Sequence, residues 1–227
     1  MSRLVIVLVV LGVVGVIAIV SHFNSEKYRI RKHLASAVRT PVHSLRMGQT
    51  AKVIGRVVPV EGSLLAAPLT GRPCVFYEVI VEEYVSRGRS STWVERIRET
   101  RRVDFALDDT TGLVRVPSRH EMRYVAEKDS QHKSGTFNDA APHLQAFLDR
   151  HGFKSTGWVF NKSLRYNEGI FEPGEAVVVS GLVTFEDDPD GARAPQGYRD
   201  SPKRAVLTAP PGGTLVASDE RESTSYA

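Results

Sequence analysis

Apolar and polar positions alternate along this chain in three distinct ways. From Leu4 to Val20 there is no alternation: 17 residues are apolar without a break, and fourteen of them are Val, Ile or Leu. As a helix this run spans about 25 Å, near the lower limit for crossing a bilayer. Eleven of its residues are β-branched, which favours strand in water. In lipid, however, a lone segment must satisfy its own backbone and is therefore helical. The run is longer than a signal-peptide core, and Val20-Ser21-His22 lacks a small-residue cleavage site. Residues 1–24 are thus expected to form a transmembrane anchor.

Between residues 25 and 44 the spacing turns helical. Ile30, Leu34 and Ala37 recur at i, i+4 and i+7, and Pro41 ends the segment. This predicts a juxtamembrane stalk helix, either solvated or touching anionic headgroups. Its basic residues Lys27, Arg29, Arg31, Lys32 and Arg39 face one acid, Glu26, whereas only Arg3 precedes the apolar run. The positive-inside rule then gives a single-pass protein of the cell membrane, with its C-terminal domain on the cytoplasmic side.

From residue 45 to 217 the period is two. Strands are expected at 50–58, 73–85, 93–107, 113–116, 157–166 and 176–185, with short closing strands at 204–208 and 214–217. The runs at 73–85 and 93–107 flank the loop Ser86–Thr92 and read as a hairpin. Residues 118–156 are polar, except for a helix that Asp139 can cap and Gly152 can end, carrying Leu144, Phe147 and Leu148. Residues 186–202 form an Asp/Pro/Gly-rich loop, and 218–227 a disordered tail. Two segments echo each other: Gly48 to Gly55 and Gly174 to Gly181 each run from a turn glycine through a strand to a second glycine. A mid-strand glycine permits the bend of a small closed barrel. The expected fold is mainly β: a small OB-like barrel with one inserted helix, preceded by the transmembrane helix.

Composition adds mostly exclusions. The 227 residues carry a net charge of +4 from 30 basic and 26 acidic groups, a mixed balance that makes nucleic acid an unlikely partner. The single cysteine, Cys74, and seven scattered histidines leave no zinc-site spacing. Walker, GxGxxG, GxSxG and HExxH motifs are missing. No metal and no cofactor is expected. Asp104, Asp108 and Asp109 resemble a carboxylate cluster, but Asp-Asp-Thr-Thr-Gly is foremost a turn. Cys74 lies in an apolar strand, where a packing role outweighs a nucleophilic one. The hairpin is rich in arginine. Arg96, Arg98 and Arg102 are expected on one outer face, flanked by Arg87 and Arg89, with Trp93 and Phe105 in the opposite alternation. Such a face is either simply solvated or meets phosphate groups of anionic lipid or of nucleic acid.

Three segments together resemble the GIDE-type, or beside-a-membrane, domain. They are Ala67–Tyr77 with Pro68, Gly71, Cys74 and Tyr77; Phe105–Val114 with Asp108 and Gly112; and Phe171–Gly181 with Pro173, Gly174 and Gly181. The similarity covers about residues 45–217. This family occurs in mitochondrial membrane-anchored E3 ubiquitin ligases and in many prokaryotic membrane proteins. The resemblance implies a domain held beside the bilayer, and by family name a ligase. The ligases end in a RING, and many members have a second membrane helix; neither pattern follows residue 217 here. The expected function is a non-catalytic membrane-anchored binding or scaffold module, whose partners are the bilayer and a protein or second copy of itself. E3 ligase-like activity, and anionic-lipid or nucleic-acid binding through the arginine-rich hairpin, are the alternatives.

Overall fold

The computed structural model describes residues 26–60, 62–88, 90–134, 142–153, 163–188 and 203–225. The apolar run 4–20, the Asp139 cap, residues 157–162 and most of the 186–202 loop lie outside them. Among the described residues, no helix is long and apolar enough to cross a membrane. In chain order the elements are α1 (26–36), a 3₁₀ turn (Val42–Ser44), β1 (Thr50–Pro59), β2 (Leu65–Ala66), β3 (Pro73–Cys74), β4 (Phe76–Arg87), β5 (Ser90–Arg102), β6 (Phe105–Asp108), β7 (Leu113–Val116), β8 (Met122–Val125) and β9 (Ser130–Ser134). They continue with α2 (Pro142–Arg150), β10 (Leu164–Phe171), β11 (Ala176–Asp187), β12 (Lys203–Thr208), β13 (Leu215–Ser218) and α3 (Arg221–Thr224).

The chain is mainly β. Five strands, in the order β1-β6-β7-β12-β11, close into a barrel through antiparallel pairing of β1 with β11. The alternation anticipated in sequence fills its interior: Val53 and Val57, Phe105 and Leu107, Val114 and Val116, Val177 and Val179 are all buried in one cluster. β13 and β8 continue the sheet past β11.

The echoed glycines sit where barrel strands exchange neighbours. β1 leaves β11 for β6 around Arg56, and β11 leaves β1 for β12 at Leu182. A Cβ on Gly55 would stand 2.8 Å from the Asp108 carbonyl oxygen. On Gly181 it would meet Leu215 Cδ2 at 2.5 Å and the Thr208 carbonyl oxygen at 2.9 Å. Close backbone approach, more than unusual φ, demands glycine at both.

A second sheet, β5-β4-β10-β9, is assembled from two excursions of the barrel chain. One runs between β1 and β6, the other between β7 and β11. One face of this sheet, with Val79, Val81, Tyr166 and Ile170, is covered by Leu144, Phe147 and Leu148 of α2.

Four expectations change. The hairpin loop shrinks to two residues, because the ladder extends to Arg87↔Ser90, with Gly88 at φ +62°. The predicted strand 93–107 splits at Val103–Asp104: β5 belongs to the second sheet and β6 to the barrel. Segment 118–156 holds two strands. β8 gains its place by parallel pairing with β13, and the polar β9 pairs through its backbone with β10, needing no apolar side chains. Residues 218–225 are folded where a disordered tail was expected, since Ser218, Asp219 and Thr224 are buried and α3 lies among them; residues 226–227 lie outside the described ones.

The stalk helix also differs from a solvated rod. α1 lies across the outside of four neighbouring strands. Ile30 and Leu34 are buried against Val125 of β8, Val216 of β13, Val178 of β11 and Ile54 of β1. Polar contacts follow the same path. Glu26 accepts from Arg123 Nε at 3.0 Å, His33 bonds Ser180 at 3.0 Å, and Lys52 Nζ donates to the Leu34 carbonyl at 2.9 Å. Arg31 forks onto Glu220, its Nε 2.9 Å from Oε2.

Gly55→Ala should destabilise the barrel by about 1–3 kcal/mol through the backbone clash. Urea unfolding followed by tryptophan fluorescence would measure it; an unchanged midpoint would contradict this role for the glycine.

Candidate functional site

The geometry of the arginine-rich hairpin follows from one bulge. Val81 pairs with Ile97 but Glu82 pairs with Glu95, so Arg96 is an extra residue. Paired residues share a face, so Arg98 (opposite Ile80) and Arg102 (opposite Phe76) keep the same side. Arg96 does not join them; it bonds Glu83, Nε to Oε2 at 2.8 Å. The same slip brings Trp93, opposite Tyr84, onto the face of Arg98, where simple alternation had separated them.

Each of these arginines has partners within the chain. Arg98 donates to Glu78 and to both oxygens of Glu95, and Tyr124 hydroxyl also donates to Glu78, at 2.7 Å. Arg102 donates to the carbonyls of Ser118 (3.1 Å) and His120, pinning the hairpin base to the barrel. Burial pushes its guanidinium pKa down, with Asp104 opposing. Arg165 of β10 bonds Glu82 at 2.7 Å and stacks over Trp93, its Cζ 4.5 Å from the ring centroid. The side chains of Arg87 and Arg89 lie outside the described ones. Here arginine and glutamate alternate to hold two long strands together. β5 is also an edge strand of 13 residues, and charge and a bulge are what keep such an edge from pairing indiscriminately. The aromatic pair Tyr84–Trp93, ring centroids 5.2 Å apart, stands near the hairpin end, with Tyr84 46% exposed.

A second constellation went unnoticed in sequence. Glu168 of β10 is fully buried and accepts from Leu69 N–H (2.7 Å), Thr70 N–H (3.1 Å) and Thr70 hydroxyl (2.6 Å). The loop Ala67–Arg72, with Gly71 at φ +72°, folds around this carboxylate and is clasped by Ala67 N–H to Arg72 carbonyl (2.9 Å). Pro68 and Gly71 of the quoted motif thus belong to a turn built on Glu168. A polar residue in an otherwise buried strand, Asn167-Glu168, was the available signal. Arg72 then bridges Asp129 (3.2 Å) and Glu172 (2.9 Å).

The other candidate groups serve packing. Cys74 is fully buried, and burial with nearby Glu168 pushes its thiol up to about 12, far from a nucleophile's range. Tyr77 donates to Glu99 at 2.5 Å, and His151 of the α2 end meets the other Glu99 oxygen at 2.7 Å, fastening helix to sheet. Burial raises the Tyr77 pKa, and Glu99 raises it further. Asp104 accepts from Ser118 N–H (2.8 Å), and Asp108 from Thr110 N–H (2.8 Å). Asp109 reaches Val42 N–H (2.8 Å) and Thr111 N–H (2.9 Å). Burial acts to raise the Asp109 pKa, but these bonds and the Thr111 hydroxyl outweigh it and hold it low. The three carboxylates do not converge. Gly112 lets Val42 close over this turn, since a Cβ there would meet Val42 Cγ1 at 2.9 Å. Pro173 and Gly174 (φ +83°) form the turn into β11, with Gly174 N–H bonded to the Val57 carbonyl at 2.8 Å. Among the described residues, no group of three His, Cys, Asp or Glu is placed to hold a metal ion.

Two acids are tuned toward neutrality. Burial pushes Glu175 up to about 7, opposed by Glu172 N–H and aided by Asp129. Burial likewise pushes Asp219 up to about 7, opposed by Glu127 N–H and aided by Glu175. Asp219 Oδ1 accepts from Glu127 N–H at 2.8 Å, while its Oδ2 is buried with no hydrogen-bond partner among the described residues.

No protein-family model, curated protein or solved structure matches this chain.

Glu168→Ala strands the buried Leu69 N–H and the half-buried Thr70 N–H and should cost about 2–4 kcal/mol in urea unfolding; a neutral result would refute the clasp. Asp219 binds its proton more tightly folded than unfolded, where its pKa is near 4. Its contribution is therefore fully present below about pH 4 and lost as pH rises through about 7. Asp219→Asn should remove this penalty, about 4 kcal/mol for a rise from about 4 to about 7, so its gain over the parent chain appears at pH 8 and not at pH 4. Equal gains at both pH values would exclude the titration.

Proposed function

We propose that this chain is a non-catalytic binding or scaffold module anchored next to the bilayer, an OB-like barrel of the beside-a-membrane type. The docking of α1 carries this reading. Residues 4–20 supply an apolar segment long enough to act as a membrane anchor. The helix that follows within a few residues is fastened to the barrel by buried Ile30 and Leu34 instead of swinging as a free stalk. A tether of this kind holds the domain at a set pose and raises its effective concentration at the surface.

Barrel topology supports the OB-like form. Its third and fifth strands in chain order, β7 and β12, run parallel, and the rest of the barrel is antiparallel. The three motifs that suggested the family each close a junction: Pro68–Tyr77 over Glu168, Asp108–Gly112 under Val42, and Pro173–Gly181 against β1. The protruding hairpin supplies a partner surface. Its Tyr84, Trp93 and stacked Arg165 are the residue types enriched at binding hot spots. Because Arg96, Arg98 and Arg102 answer internal acceptors, that surface suits a protein better than a phosphate-rich ligand.

Crosslinking in intact membranes, then capture of the full chain, should recover one protein in stoichiometric yield through the hairpin. Deleting residues 1–24 should remove that partner from the membrane fraction. Persistent recruitment by the shortened chain, or capture of lipid alone, would defeat the proposal.

A further inference from the structure

Docking of α1 divides its circumference in two. Ile30 and Leu34 mark the face turned to the barrel. Tyr28, Lys32 and Ser36 follow at i, i+4 and i+8 on the opposite side, with Arg29 and Ala35 beside them. All five are exposed, Tyr28 to 64%. The acids that reach this helix lie on its flanks: Glu26 faces Arg123, while Glu220 and Glu222 face Arg31. Among the described residues, no carboxylate pairs with Arg29 or Lys32. The outermost strip is therefore cationic and carries an aromatic, and it begins eight residues after Val20, the last residue of the apolar run.

We propose that this outer strip of α1 rests on an anionic lipid surface, so that the helix is layered between barrel and bilayer. The inference rests on the tether described above and adds the orientation. Eight residues separate position 28 from the end of the apolar run, a span of at most about 28 Å when fully extended, which keeps the strip within reach of the headgroup zone. At that depth Arg and Lys meet phosphates, and tyrosine is a preferred interfacial side chain. Lying flat, α1 puts the β8-β13-β11-β1 side toward lipid.

Cys74 makes the test simple, because its buried, weakly acidic thiol leaves a new surface cysteine as the reactive one. The full chain carrying Ser36→Cys is labelled with a polarity-sensitive fluorophore and reconstituted into phosphatidylcholine vesicles, with or without phosphatidylglycerol. Flotation reports the tether; iodide quenching reports the helix. The expected result is flotation in both lipids, with the label blue-shifted and several-fold less quenched when phosphatidylglycerol is present. High salt or Arg29→Glu with Lys32→Glu should reverse that protection without loss of flotation. A chain that floats but is quenched equally in all conditions overturns the surface contact and leaves the tether standing. A chain that fails to float overturns both.

Discussion

The seven-residue ladder between β1 and β11 is the constraint from which the rest follows. It runs from Thr50↔Leu182 to Arg56↔Ala176 and joins the two ends of the five-stranded barrel. Side chains pointing inward from it, Ala51, Val53, Val177 and Val179, fill the core. Those pointing outward, Ile54 and Val178, form half of the platform on which α1 lies. A slip of one residue would exchange the two sets and expose the core face. The same pairing sets Lys52 beside Ser180, and these two residues bond the end of α1.

Around that barrel, buried carboxylates organise the loops. Glu168 gathers the 67–72 turn, Asp109 gathers the start of the 3₁₀ turn, and Asp219 holds the backbone leaving β8. Each accepts backbone N–H groups that no strand could pair, which satisfies donors that burial would otherwise strand. Polar residues with the look of chemistry thus account for local shape. The arginines of the hairpin follow the same rule, since their positive charge answers glutamates and carbonyls a strand away.

Period-two patterning made the barrel legible, because Thr50–Val58 and Ala176–Phe185 bury alternate residues against a single core. The glycine echo was informative for a steric reason: both second glycines stand against a neighbouring backbone carbonyl. What escaped was long-range or phase-dependent. β9 has no apolar signal because its side chains are not what pairs it. The bulge at Arg96 shifts alternation by one residue, and nothing in Glu95-Arg96-Ile97 marks it. Glu168 becomes an anchor only once a loop about a hundred positions earlier folds over it. Asp219 looked like part of a polar end until Glu127 N–H arrived from β8's far side.

α1 runs from β8 at Glu26 to β1 at Leu34, and this governs how the molecule carries load. A pull at residue 26 does not act on all contacts at once. It strains the Glu26–Arg123 bond at β8 first, then the seat of Ile30, and only afterwards Leu34 and the Lys52 clamp on β1. The strap therefore peels in steps of about one helical turn, and none of the contacts it gives up is a rung of the barrel ladder. Mechanical compliance is confined to the outside of the fold, and tension applied at residue 26 is taken up along α1 before it reaches the core.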